Sequence, residues 1–281
     1  MTVAQFNDVT KMRKDFIIYN LNLSIPKGFI TGFIGPNGSG KTTTIEMLMD
    51  IVQKDSGEIN LLGKDHKDPQ LKQNIGFVYD DLYMYEDFTI KKMYSFIAPL
   101  YTNWNDQLFK RYLKEFDLPY KKKLKHFSKG MKMKCSLLFA LSHEPEFIIM
   151  DEPTSGLDPV FRRELLYLLQ DLMVRENQTI FLSTHITTDL DQIADYIIFI
   201  HEGKLQFQKS MEEIRDSYHI VKGHIDLIDR DSRQIFKEMI VKNEQFTALY
   251  EGDPTIFSQL DEKIIVERAS LEDIMFFLTR E

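Results

Sequence analysis

The sequence predicts an α/β fold that carries a helical insertion and a small α+β tail. Three observations lead there. Short apolar runs alternate with helical segments through most of the 281 residues, the pattern of strands wrapped by helices. Between Ile90 and His143 the strand signal disappears, over a stretch too long for a bare loop. After about Ser217 the character of the chain shifts again.

In order, strands are predicted at Val3 to Val9, Phe16 to Ile25, Phe29 to Ile34, Glu58 to Leu62 and Ile75 to Tyr79. Further strands follow at Phe147 to Met150, Thr179 to Ser183 and Tyr196 to His201. Each is a short apolar or β-branched run bounded by turn residues. Helical spacing marks Lys41 to Ile51, Pro159 to Arg175 and Ile186 to Ile193, and three helices fill the insertion: Ile90 to Tyr101, Asp106 to Phe116 and Ser128 to Leu141. In the tail, strands are expected at Tyr218 to Asp229, Phe246 to Tyr250 and Lys263 to Arg268, with a helix near Ser232 to Val241. A capped amphipathic helix is expected from Ser270 to Leu278.

Composition narrows the function. Hydrophobic residues make up 43% and charged residues 28%, ordinary for a globular protein. A formal net charge of −8 argues against a general nucleic-acid binder. The single cysteine, Cys135, excludes an intramolecular disulfide and suits a reducing compartment. Met1 to Asp8 has neither the basic start nor the apolar stretch of a signal peptide, and no apolar run approaches the ~20 residues that span a bilayer. A soluble, cytosolic chain is expected, reaching any membrane through a partner.

Gly35-Pro36-Asn37-Gly38-Ser39-Gly40-Lys41-Thr42 has the spacing G-x-x-x-x-G-K-[ST]. An apolar strand precedes it, and a helical segment beginning Lys41-Thr42-Thr43 follows, which is the context this motif requires. Glycines let successive N–H groups converge on phosphate, and the helix N-terminus adds positive potential. Lys41 is placed to reach the β- and γ-phosphates, and the Thr42 hydroxyl to hold Mg²⁺. A nucleoside triphosphate is the expected ligand.

Cleavage needs carboxylates. Phe147 to Met150 runs into Asp151-Glu152; Asp151 suits a Mg²⁺ role and Glu152 suits activation of the attacking water. The phosphate loop is expected on a strand neighbouring this one. The run Thr179 to Ser183 ends in Thr184-His185, which puts His185 at the γ-phosphate edge if its strand lies beside them.

The phosphate loop, Asp151-Glu152, the turn Ser155-Gly156-Leu157-Asp158 and His185 occur in an order that resembles the ATP-binding-cassette family, over about residues 1 to 215. The resemblance implies a P-loop NTPase cassette over residues 1–217, with its helical insertion at about 86–143, and a small accessory domain over 218–281. It implies ATP and Mg²⁺ as cofactors, ATP hydrolysis, and catalytic roles for Lys41, Glu152 and His185. It further implies a signature loop before the second acidic strand. Phe127-Ser128-Lys129-Gly130-Met131 stands there, matching the family at Ser128 and Gly130 but not at Lys129 and Met131. In the family this loop closes over ATP held by another protomer. The implied partners are therefore a second ATPase protomer, identical or related, and an integral membrane transporter subunit. The chain would then stand at the inner face of the cell membrane, with no nucleic acid involved. The signature variant, the acidic loop at Asp80-Asp81 and the ending Leu271-Glu272-Asp273-Ile274 look like exporters linked to antibiotic or peptide resistance, and cargo of peptide, drug or lipid type follows. A soluble cassette acting on nucleic acid or ribosomes is the alternative, but the coiled-coil insertion or second cassette of such proteins is not present.

Two departures carry expectations of their own. Where the family has a glutamine after the strand ending Val78-Tyr79, this chain has Asp80-Asp81, and Asp80 is expected to substitute as a hard oxygen ligand for Mg²⁺. Where the family stacks adenine on an aromatic ring, Met12 or Arg13 aligns best, so nucleotide affinity is expected to be weaker and base choice looser. The run Asp81 to Phe88 is rich in aromatics beside charges and suits an interface with the membrane subunit. The basic run Lys121-Lys122-Lys123-Leu124-Lys125-His126 reads as a solvated connector.

Overall fold

The computed structural model describes residues 1–80, 82, 84–176, 178–228, 233–257 and 263–280. Asp81, Tyr83 and the expected strand and helix ends at residues 229–232 lie outside them. Strands β1 (Thr2–Arg13), β2 (Phe16–Pro26), β4 (Ser56–Leu61) and the short β5 (Lys64–Asp65) form an antiparallel sheet in the order β2-β1-β4-β5. A six-stranded sheet holds β3 (Ile30–Ile34), β6 (Ile75–Val78), β7 (Phe147–Asp151), β8 (Thr179–Thr184), β9 (Tyr196–His201) and β10 (Lys204–Ser210). Its order is β10-β9-β3-β8-β7-β6, parallel except for the antiparallel edge strand β10.

Period-two alternation explains why the central strands are apolar throughout. Phe147 and Ile149, Phe181, and Ile198 and Ile200 face the core shared with the antiparallel sheet and with α1 (Lys41–Leu48). Ile148 and Met150, Ile180 and Leu182, and Ile197 and Phe199 face a second core. That core is built with α2 (Ile90–Ile97), α3 (Asp106–Glu115), α4 (Lys129–Leu141), α5 (Pro159–Glu176) and α6 (Thr187–Ile193). Strands buried on both faces read as continuous hydrophobic runs. The helix expected to reach Tyr101 stops at Ile97, and Ala98–Leu100, which contains Pro99, tightens into a 3₁₀ turn.

The acidic strand is not adjacent to the phosphate-loop strand as expected. Strand β8 lies between β3 and β7, pairing Thr184 with Ile34 on one side and Ser183 with Asp151 on the other. His185 therefore follows the strand that touches both.

Strands β5 and β10 went unpredicted, as did α7 (Met211–Ser217), whose capping box joins Ser210 and Glu213. Beyond them, β11 (Tyr218–His224), β12 (Phe236–Lys242), β13 (Gln245–Glu251) and β14 (Ile265–Arg268) make a separate antiparallel sheet in the order β12-β13-β11-β14. The helix expected near Ser232 to Val241 is corrected here: residues 236–242 are a strand. A two-residue turn, Asn243 (φ 50°) and Glu244 (φ 60°), folds β12 back on β13. Such positive-φ turns match strand twist and favour asparagine. Ladder pairing in the hairpin overrides the local helical spacing. The last helix, α8 (Leu271–Leu278), has the expected capping box through Ser270 and Asp273, and its Leu271, Ile274 and Phe277 pack into the same core as Leu190 and Ile193 of α6.

Candidate active site

The phosphate loop leaves β3 at the middle of the sheet and enters α1. Gly35 cannot carry a side chain, since a Cβ there would stand 2.2 Å from the Ile200 carbonyl oxygen. Gly40 has φ 108°, a region that L-residues rarely adopt, and a Cβ would meet the Phe16 ring at 2.7 Å. Gly40 caps α1 without any side-chain hydrogen bond, and no acid lies in the first turn. The N–H groups of that turn are thus left for an anionic ligand.

Lys41 is buried, and its Nζ donates to the carbonyl oxygens of Gly35 at 2.8 Å and Pro36 at 3.2 Å. It also lies 3.5 Å from Glu152 Oε1. The other Glu152 oxygen, Oε2, stands 2.8 Å from His185 Nδ1 and accepts the His185 backbone N–H at 3.3 Å. One carboxylate therefore joins the lysine and the histidine singled out from sequence.

Glu152 has φ 49°, uncommon for a residue with a side chain. Its N–H holds that conformation by donating to Ser183 O at 3.1 Å and Ser183 Oγ at 3.0 Å. The same Ser183 hydroxyl donates to Asp151 Oδ1 at 2.5 Å. Ser183 is the residue that sequence reasoning passed over. Its signal was its place one residue before Thr184-His185 at a strand end.

Asp151 is buried, and burial pushes its carboxyl above the ordinary range. Hydrogen bonds from Ser183 and Thr42 oppose the shift, while the charges of Glu152 and Asp80 add to it. Thr42 is thereby placed beside Asp151, and Asp80 within reach of its charge. Among the described residues no group of three His, Cys, Asp or Glu side chains could hold a metal ion unaided. The donors do suit Mg²⁺, a hard cation that takes few protein ligands and fills its shell with phosphate and water. A carboxyl whose ionisation burial opposes is also one that a divalent cation would help to charge.

A cavity of about 750 Å³ opens beside the loop, lined by Pro36, Asn37, Gly38 and Ser39 together with Arg13, Phe16, Tyr19, His201, Glu202 and Lys204. Arg13 is on this wall, its guanidinium 3.1 Å from Glu46; Met12 is exposed and off it. The lining by Tyr19 and by the β9–β10 turn is a tertiary property without a local sequence signal. Thr43 follows the loop in the first turn of α1.

Ser128 and Gly130 stand elsewhere. Ser128 caps α4 by accepting the Met131 N–H at 3.2 Å, and the Phe161 ring packs against Gly130. Both line a different cavity, of about 660 Å³, which shares no residue with the one at the phosphate loop. The ammonium of Lys129 lies against Gly156. Lys132 pairs with Glu86 at 2.7 Å and Lys134 with Glu164 at 3.5 Å. Of the dense basic run, Lys123 and Lys125 both reach Asp87.

Fold and site together define a P-loop protein equipped to cleave a nucleoside triphosphate. A family profile described as ABC transporter matches residues 18–155. The bacitracin transport ATP-binding protein BcrA of Bacillus licheniformis is 34% identical over 209 residues, covering 73% of this chain and 68% of that one. The lantibiotic transport ATP-binding protein SrtF of Streptococcus pyogenes is 33% identical over 203 residues, covering 71% of this chain and 86% of that one. A solved ATP-binding subunit of an ABC transporter superposes with a TM-score of 0.69 at 26% identity, covering 76% of this chain and 92% of that one. The chain belongs to the ABC transporter family, as an ATP-binding and ATP-hydrolysing subunit.

Proposed function

We propose that two cassettes close head to tail around Mg-ATP, residues 1–217 forming the cassette and 218–281 an accessory domain, and drive a separate membrane-spanning subunit. The observation that carries this reading is the separation of the two half-sites. Lys41, Glu152 and His185 cluster at the phosphate loop, while Ser128 and Gly130 open on another cavity. A second protomer supplies the missing half. ATP stabilises the closed pair because it touches both surfaces, and cleavage removes that differential contact.

Within the site, Glu152 orients the attacking water and accepts its proton, His185 holds the carboxylate in place, and Lys41 and the loop N–H groups balance phosphate charge. Mg²⁺, when bound, supplies further charge compensation at the phosphates, with Thr42, Asp151 and Asp80 as its protein donors. Lys129 adds a cation to the half-site of Ser128 and Gly130, because Lys132 and Lys134 have acidic partners while Lys129 pairs with no described carboxylate.

The membrane subunit docks on the insertion. Tyr85 and Phe96 are 73% and 56% exposed, and the Phe88 ring lies between them, its centroid 5.1 Å from Tyr85 and 5.8 Å from Phe96. Exposed aromatics of this kind suit an interface core. Among the described residues no helix is long and apolar enough to cross a membrane, so placement at the inner face of the cell membrane rests on that subunit. The names of BcrA and SrtF favour export of an antibiotic or peptide cargo.

Replacing Glu152 by Gln tests the core of the proposal. The variant is expected to bind Mg-ATP, hydrolyse it at least about 100-fold more slowly, and elute as a dimer in gel filtration. A wild-type rate removes Glu152 from the chemistry; a slow variant that stays monomeric with Mg-ATP removes the pair.

A further inference from the structure

The turn that follows Glu152 leads into α5, and the turn that follows His185 leads into α6. In the first turn of α5, Arg162 Nε donates to Asp189 Oδ1 at 2.6 Å, and Arg162 Nη2 donates to Thr188 Oγ1 at 3.3 Å. Asp189 lies in the first turn of α6, four residues after His185, with its side chain only 3% exposed. Asp158 anchors the other end by accepting the N–H groups of Val160 and Phe161 at 3.1 and 3.0 Å.

As a stabilising device this pair is poor. Asp189 Oδ2 is buried without a hydrogen-bond partner, and a buried ion pair with unsatisfied atoms recovers little of its desolvation cost. Helices α5 and α6 are already held by Leu165, Leu169, Leu190 and Ile193 in the common core. What the pair adds is geometry, since a forked guanidinium fixes direction as well as distance.

We infer that Arg162 and Asp189 are positioning residues for hydrolysis: they bolt together the segments that carry Glu152 and His185, and so set the contact between that carboxylate and that imidazole. This rests on the roles proposed above for Glu152 and His185. Small misplacement of catalytic groups costs rate rather than ground-state binding.

The test is a kinetic cycle on the full chain with Mg-ATP, comparing wild type, Arg162→Ala, His185→Ala and the double variant. Arg162→Ala is expected to lower kcat about 10- to 100-fold with KM unchanged, and to add nothing further once His185 is gone. Asp189→Asn, which keeps the shape of the side chain, is expected to lose kcat in the same way and carries the test if Arg162→Ala does not fold. The inference is overturned if both variants keep the wild-type kcat, if the loss appears only in KM, or if it multiplies with that of His185→Ala. A wild-type rate in His185→Ala removes His185 from the chemistry and this inference with it; a slow His185→Ala beside wild-type rates in Arg162→Ala and Asp189→Asn overturns the inference alone.

Discussion

Single residues define the phosphate site, and Gly40 tests how tightly. Its φ of 108° and the ring of Phe16 beneath it leave no room for a methyl group. Gly40→Ala is expected to destabilise the fold by about 1–3 kcal/mol and to weaken ATP binding; chemical unfolding and nucleotide titration measure the two effects. At this scale the sequence was most legible, because Gly35 to Thr42, Asp151-Glu152 and His185 are read from contiguous residues with their own chemistry. What stayed hidden is what other segments bring. Ser183 bridges Asp151 and the Glu152 N–H only because β8 pairs with β7, and Tyr19 and His201 meet the loop only through tertiary packing.

Among the elements, the last sheet teaches the most. Glu251 on β13 binds Lys209 of β10 and Lys237 of β12, the latter at 2.8 Å, so one carboxylate joins two sheets. Burial raises its pKa, but the hydrogen bonds and charges of the two lysines outweigh burial and hold it at about 2. A depressed carboxylate contributes stability that is present above its unfolded pKa, near 4.5, and is lost as pH falls through the folded value. Acid unfolding is therefore expected to lose on the order of 2 kcal/mol between about pH 4.5 and 2 after allowance for solvent screening. Glu251→Gln should flatten that segment of the stability curve, measured by denaturant midpoints across the range. Strand β12 shows why the tail was less readable than the rest. Its seven residues fit a helical period, and only the Asn243-Glu244 turn, with its antiparallel partner β13, decides for a strand. The order β3-β8-β7 was illegible for a related reason: strand neighbours are chosen by the path of the whole chain, and spacing along the sequence does not reveal them.

For the whole molecule, the proposed function turns on surfaces that one chain leaves open. Tyr85→Ser combined with Phe96→Ser is expected to reduce recovery of the chain with its membrane subunit from detergent-solubilised membranes, while ATP binding by the purified variant persists. Equal recovery would move the docking face elsewhere. The two cavities that share no lining residue have a consequence beyond pairing. A chain that carries complementary halves on different walls cannot complete a site by itself, so in this reading crowding acts as its throttle. Dilute, untethered copies idle, whereas two copies held on one bilayer-embedded scaffold meet at high effective concentration. On the proposed pairing, wasteful turnover away from the membrane would be suppressed without a dedicated inhibitor.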